Sequence, residues 1–543
     1  MKYIKNLIAF MCLGTVVTSC NDFLVRDTPY DTTDDKWWVN QGQLENALKP
    51  IYLGLPSGVI TYDRTYNHGS RTYANARVQL HGVTDDAVFR ANYLDYESFT
   101  LGTANSSSPI PLQLYSMNYE LIRDASRFLE NYHRAYIPDP GLKERYAAEA
   151  RALRAYMHMQ LFMLYGPIPI VDKSVNPDEQ YLSRRTQEEV VNFVISEFDA
   201  AAQVLPATYT DNEAWRFSKG ACYACESELY LFIGDYAKAA QAAKKVIDLN
   251  VYELYHSKAN PANSYAALFS YEAKQNKERV LYSLRGNRQA FRRLAPKSIS
   301  GQVSISPTAE LVNTYETKQG YTLQELGADS LKTYTEDPHH NDNRDPRLRA
   351  SVLFPGETFL KKKFDPFTST SPDLMGSWPS TYTGYWVKKW VTSTDQSKGT
   401  DSGDLDFFII RYAEVLLNYV EALVESGDWN NPDVYTYLNA IRNRAGMPDV
   451  DRSRYNTQEK LRELVRRERR VELAFEGQRF FDIRRWKIGE QVMGTTVHGA
   501  VSPTTHQPIV VETRQFNPEK DYLWPIPINE LNTNPNMTQN PGW

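Results

Sequence analysis

A helix, a glycine turn and a second, alanine-lined helix are written into Cys222 to Asn250, and this hairpin constrains the chain more than any other feature. Small and apolar residues lead to Leu229-Tyr230, the turn follows at Gly234-Asp235-Tyr236, and Ala239, Ala240, Ala243 and Val246-Ile247 continue beyond it. Alanine lets two helices approach closely and glycine permits the tight turn, so the unit is tetratricopeptide-like. A fainter copy follows Leu416, with Tyr419, Ala422, Gly427-Asp428-Trp429, then Val434, Leu438 and Ile441. Hairpins that cannot bury their faces alone stack into a superhelix. The predicted fold class is mainly α.

Helical periodicity extends to both sides of this unit. Tyr146, Ala150, Leu153, Met157, Leu161 and Leu164 share a face, as do Val191, Val194, Ile195, Phe198, Ala202 and Leu205. Thr186 and Glu189 form a capping-box pattern that places the start of the second of these helices. A further stripe runs through Leu405, Phe408, Ile409, Tyr412, Leu416, Tyr419, Val420 and Leu423, and Gly427 ends it. Helical repeats are thus expected mainly in 109–250 and 405–487. Residues 56–118 and 251–404 lack sustained period and read as loop-rich regions with short elements, a length that is usually functional or disordered. One domain is expected over 41–543.

The first residues are read separately. Lys2 and Lys5 precede an apolar run from Leu7 to Val17, too short to cross a bilayer of about 30 Å as a helix but suited to a secretory signal peptide. Val17-Thr18-Ser19-Cys20 resembles a bacterial lipobox. The expectation is a signal peptide over 1–19, lipid on Cys20 and a tether over 20–40; an ordinary signal that happens to meet a cysteine is the alternative. Acyl chains contribute about 0.8 kcal/mol per buried CH₂, so several on one residue anchor firmly. The formal charge of -5 argues against a general affinity for nucleic acid. Beyond Cys12 and Cys20 only Cys222 and Cys225 remain. Their CxxC spacing lies in a helical pattern rich in small residues and reads as packing; a disulfide stays open in an exported chain, while metal or redox work lacks a second ligand pair.

The C-terminal third carries the most specific pieces: Arg411-Tyr-Ala-Glu414 to Asn418 and Glu421-Ala422, Leu438 to Gly446, Glu468 to Trp486, Trp524-Pro-Ile-Pro527 to Glu530, and Gln539 to Trp543. Earlier pieces are Cys20-Asn-Asp-Phe-Leu24, Thr84-Asp-Asp86, Glu149 to Tyr156, Tyr165-Gly-Pro-Ile-Pro169 and Arg344-Asp-Pro-Arg347. In this order they resemble the SusD/RagB family of outer-membrane nutrient-uptake lipoproteins of Bacteroidetes. The resemblance implies a tetratricopeptide-like helical hairpin superhelix supporting a loop-rich binding face with minor β structure. It also implies a SusC-like TonB-dependent outer-membrane transporter as partner, and substrates that are chiefly glycans, with peptides in some members.

The helix expected near 461–486 carries the densest run of titratable side chains. Glu468, Glu472 and Glu476 recur every four residues, and paired carboxylates can work on glycosides. Carboxylates on one helix face point the same way, however, whereas a glycosidase pair must flank the bond. With Arg466, Arg467, Arg469, Arg470 and Arg479 near, they read as a structural ion-pair network. His339-His340 with Asp342 and Asp345 lacks a third histidine or a zinc-site spacing and reads as turn chemistry. Asp85 and Asp86 are expected to cap a helix or brace a loop. No phosphate loop or nucleophile elbow stands out. The chain is therefore read as a binder rather than an enzyme, with no cofactor and no metal.

Sugar rings present apolar C–H faces and a hydroxyl rim, so their sites combine flat aromatics with a few placed polar groups. Aromatics make up 13% of the chain and Tyr (36) outnumbers Phe (22), which favours half-wet surfaces. The candidates are Tyr62, Tyr66, Arg71 and Tyr73 (with His68 and Asn75 nearby), Asp86, Tyr115 and Asn118, Arg285, Asn287 and Arg288, and Trp378, Tyr382, Tyr385 and Trp386. In the resembled family an aromatic and an amide one turn on serve sugar contact in some members; here Tyr115 stands where tryptophan is common. The function expected is capture of glycan at the bacterial cell surface and delivery to the transporter. The same role for peptides, and a helical-repeat adhesin or scaffold, remain as alternatives.

Overall fold

The computed structural model describes residues 34–59, 75–89, 96–210, 212–337, 339 and 341–543. Cys20, the expected signal over 1–19 and residues 20–33 of the expected tether lie outside them; residues 34–40 are part of the fold instead, with Trp38 buried against Phe128. The frame is helical: α1 (Gln41–Leu53), α2 (Pro109–Asn131), α3 (Pro140–Tyr165), α4 (Gln187–Val204), α5 (Lys219–Ile233) and α6 (Tyr236–Asp248), then α7 (Tyr412–Glu425), α8 (Pro432–Arg444), α9 (Gln458–Glu472) and α10 (Gln478–Arg485). Each start has a local cause. Asp139 caps α3 through the Gly141 N–H and Pro140 fills the first turn, where no donor is needed. Thr186 and Glu189 form the reciprocal capping box at α4. From Tyr146 to Tyr165 every residue of α3 except Arg151 is buried, so this helix is enclosed by its neighbours rather than laid on a surface.

The hairpin that the sequence marks is α5–α6. Gly234 takes the left-handed conformation at φ 79° and Asp235 caps α6 by accepting the Lys238 N–H. The second copy is α7–α8, with Gly427 at φ 93° and Asn431-Pro432 opening α8. The two copies meet at a small cluster of Leu231, Ala239 and Ala422, the close approach that the alanines permit. Cys222 and Cys225 are free and buried against the core, as packing residues.

Short strands pin the long connections. β1 (Val83–Thr84), β2 (Ala87–Phe89) and β4 (Ile305–Pro307) form a three-stranded antiparallel sheet. β3 (Arg279–Ser283) pairs with β7 (Phe407–Arg411), and β5 (Val352–Leu353) with β6 (Trp386–Val387). β8 (Thr496–Val501) and β9 (Pro508–Thr513) form a hairpin. Two expectations are corrected here. Leu405, Phe408 and Ile409 do not begin a helix: Phe407–Arg411 is buried throughout and pairs as a strand, and α7 starts at Tyr412. The helix expected through 461–486 is broken after Glu472, where Phe475 and Gly477 adopt φ of 64° and 92°. Among the described residues no helix is long and apolar enough to cross a membrane.

Candidate ligand-binding surface

The glutamates at 468, 472 and 476 are buried in a knot of charge. Glu468 meets Arg347 and, at 3.1 Å, Arg442. Glu472 meets Arg444, Arg411 at 2.7 Å and Arg347 at 3.0 Å. Glu476 meets Arg411 and Lys389, each at 2.7 Å. Glu278 joins from the start of β3 through Arg411 and Arg444. Burial acts to raise the pKa of Glu472, but Arg444, Arg411 and Arg347 outweigh it and hold the carboxylate far below its usual range. The structural reading stands, with different partners. Arg466 turns to Glu425, Arg467 to Glu316, Arg469 to Glu421 and Asp482, and Arg470 and Arg479 to Asp85.

Several ligand candidates prove to be parts of this interior. Asp86 is fully buried, accepting from Arg470 Nε at 2.7 Å and meeting His81 Nδ1 at 3.1 Å. Asp85 takes both arms of Arg479 at 2.8 Å. Together they fasten β1–β2 to α9 and α10, so Asp86 braces the fold rather than facing a ligand. Asn287 is buried and donates to the Asp406 carbonyl at 3.1 Å. Asn118 is buried and donates back to Leu114 O at 2.7 Å, so the amide one turn from Tyr115 serves its own helix. Tyr385 and Trp386 are 5% and 0% exposed, because the β5–β6 pairing sets them against Phe354 and Phe364. His339 Nδ1 meets the Pro355 carbonyl and Asp345 takes Arg347.

The remaining candidates gather where the described chain reaches solvent. Trp378 is 68% exposed and Tyr382 36%. Lys297 Nζ donates to Trp378 O at 2.8 Å, and the Tyr382 N–H donates to Ser306 Oγ at 3.2 Å. Ser306 lies in β4, whose neighbour β2 ends at Phe89, the last described residue before 90–95. Arg285, at φ 57°, projects from the turn after β3 with its side chain 66% exposed and Nε 2.7 Å from Asp404. Arg288 Nε donates to Asp401 O at 3.2 Å. Gly58 N donates to Gly286 O and Ser57 N to Asn75 O, so the described residues on either side of 60–74 rest on this same turn. Tyr62, Tyr66, Arg71 and Tyr73, and with them His68, lie outside the described residues. Trp378 and Tyr382 thus stand beside Lys297 and β4, and Arg285 and Arg288 beside the turn on which Gly58 rests. Lys297 carries no sequence signal; only the fold brings it to Trp378.

Tyr115 is buried, unlike Trp378 and Tyr382. Its ring packs 4.8 Å from Tyr119 and 5.2 Å from Tyr165, and burial pushes its phenol above the usual tyrosine range. It edges a cleft of about 240 Å³ that Tyr119, Pro169, Leu182, Glu530 and Asn534 also line.

Comparison with known proteins places this architecture. A family model described as the SusD family matches residues 252–543, and one described as starch-binding associating with outer membrane matches residues 62–231. SusD-like protein P2 of Formosa agariphila is 27% identical over 461 residues, 83% of each chain. A solved SusD-like protein from Bacteroides fragilis is 26% identical, with a TM-score of 0.78 over 94% of this chain and 99% of that one. Another structure from the same species, described as a SusD-like carbohydrate binding protein, is 26% identical with a TM-score of 0.79, covering 92% of this chain and 100% of its own.

Proposed function

The chain belongs to the SusD family, and from that premise we propose that it captures glycan at the rim of Trp378, Tyr382, Arg285 and Arg288 and hands it to a SusC-like TonB-dependent outer-membrane transporter. The observation that carries the reading is the exposure of Trp378, Tyr382 and the Arg285 guanidinium, ring faces and charge that the fold leaves to solvent. An indole face covers the C–H face of a sugar, and guanidinium or amide groups read its hydroxyls. A B. fragilis relative described as carbohydrate binding, with the same fold, supports the substrate class. Tyr115, Asn118, Asp86, Asn287, Tyr385 and Trp386 are assigned to the frame of this site, not to ligand contact.

Export and lipid on Cys20 would place the protein on the cell surface, in keeping with the family description that mentions the outer membrane. The role is capture without catalysis: the clustered carboxylates are consumed in buried ion pairs. Affinity electrophoresis against a panel of polysaccharides tests the reading. Retardation by at least one glycan, with the glycan recovered uncleaved and the mobility shift reduced in Trp378→Ala, is expected. Binding of peptides alone, or cleavage of the glycan, would overturn it. Co-purification from detergent-solubilised outer membranes tests delivery, and a Cys20→Ser chain found free of the membrane fraction tests the anchor.

A further inference from the structure

A second cleft, of about 310 Å³, opens between the short helices Ser264–Leu268 and Pro346–Ser351 and the segment that follows β6. Its volume is at the lower end of the range of about 300–1,000 Å³ that small-ligand sites occupy. Phe269, Phe359 and Trp390 line it together with Arg349, Lys388 and Lys389, and none of its lining residues is a carboxylate.

The three cations are held differently. Lys389 is turned inward, donating to Glu476 at 2.7 Å and to the Ala474 carbonyl at 2.9 Å. Arg349 is half-exposed, steadied by Asn341 at 2.6 Å and by the exposed Asp342 at 2.9 Å, with Glu357 3.6 Å away. The Lys388 backbone N–H donates to Ser351 O, but its ammonium has no hydrogen-bond acceptor among the described residues and lies 5.4 Å from the centroid of the Phe359 ring. Burial lowers its pKa, Glu357 partly restores it and Arg349 lowers it further. A desolvated ammonium without an acceptor gains most from an incoming anion.

We propose that this cleft binds a carboxylate-bearing sugar ring, a uronate, with Lys388 anchoring the carboxylate, Arg349 beside it, and the partly exposed Phe359 ring taking the C–H face of the sugar. The proposal deepens the carbohydrate reading and rests on it: it adds a charge-selective subsite to a neutral-tolerant rim. A bare anion would engage Lys388 but leave the Phe359 ring unused, and a neutral sugar would do the reverse.

Ligand-observed saturation-transfer NMR on the full chain, with D-glucuronate, D-glucose and acetate as probes, tests it. Glucuronate is expected to bind at least tenfold more tightly than either glucose or acetate. Lys388→Met, which keeps an unbranched stem beside Phe359, and Arg349→Gln, at a half-exposed position, are each expected to lower glucuronate affinity tenfold or more. Acetate or glucose binding as tightly as glucuronate, no binding of glucuronate, or equal affinity in Lys388→Met would overturn the proposal. A chain that binds neutral polysaccharide through Trp378 yet ignores glucuronate removes this cleft alone, whereas loss of both removes the carbohydrate reading as well.

Discussion

Arg411 and Arg285 belong to the two ends of one β-ladder. The ladder begins at Arg279 opposite Arg411 and ends at Ser283 opposite Phe407, two residues before Arg285, a span of roughly 15 Å at about 3.3 Å per residue. At one end the guanidinium is 1% exposed and is shared by Glu278, Glu472 and Glu476; at the other it is 66% exposed and meets Asp404. The same side chain is a structural strut in one setting and, in the function proposed, a recognition group in the other. Burial decides which, because a buried charge that loses its partners is costly while an exposed one is rehydrated. The exposed arginine can therefore be replaced at little cost to the fold, and the buried one cannot.

The largest expected effect lies in the knot. Glu472→Gln removes charge from a site that three arginines share and should cost about 3–5 kcal/mol of stability in chemical denaturation. Arg285→Ala should cost no more than about 0.5 kcal/mol. Equal losses at the two positions would break the contrast.

Acid sharpens it next. Burial holds the His158 imidazole down to about 3, well below 6.5. Between those values the unfolded chain binds the proton and the folded chain does not, so this contribution is complete above about pH 6.5 and is lost as pH falls toward 3. The advantage of the wild type over His158→Gln should shrink by up to about 1.4 kcal/mol per pH unit in that window. Glu226 runs the other way. Burial pushes its carboxyl up to about 7, so its contribution is present below about pH 4.5 and lost as pH rises to 7. Denaturation midpoints of the wild type, His158→Gln and Glu226→Gln from pH 4.5 to 7.5 should diverge in opposite directions; parallel curves would refute both assignments.

Charge at the rim should count for less. Arg288→Ala is expected to weaken glycan binding by about 0.2–1 kcal/mol, a few-fold change, with no shift in melting temperature. Smallest of all is the chemistry of Cys222 and Cys225, whose thiols burial pushes well above their usual pKa. They should resist iodoacetamide in the native protein and react only in denaturant; labelling of the native protein would show that α5 is not packed as described.

What could be read from sequence followed the range of the interaction. The α4 capping box and the Gly234 turn are made by residues a few positions apart, and the sequence places them correctly. Glu468, Glu472 and Glu476 were readable as ion-pairing residues, but not their partners. Helical spacing points to arginines on the same helix, whereas Arg347, Arg411, Arg442 and Arg444 arrive from other elements. Leu405, Phe408 and Ile409 carry a helical period, but a short apolar stretch fits a buried strand as well as a helix, and only pairing with β3 decides. Trp378 and Trp386 were indistinguishable by composition. One is an exposed loop ring and the other is sealed under the β5–β6 pair, a difference set by strands distant in sequence.

The separation of frame from recognition is tested most directly by calorimetric titration of Trp378→Ala with a glycan that the wild type binds. Loss of the indole face should lower affinity by about 1 kcal/mol, roughly fivefold, in a protein whose melting temperature is unchanged. Wild-type affinity in the variant would contradict recognition at the rim, and a large drop in melting temperature would contradict its independence from the frame.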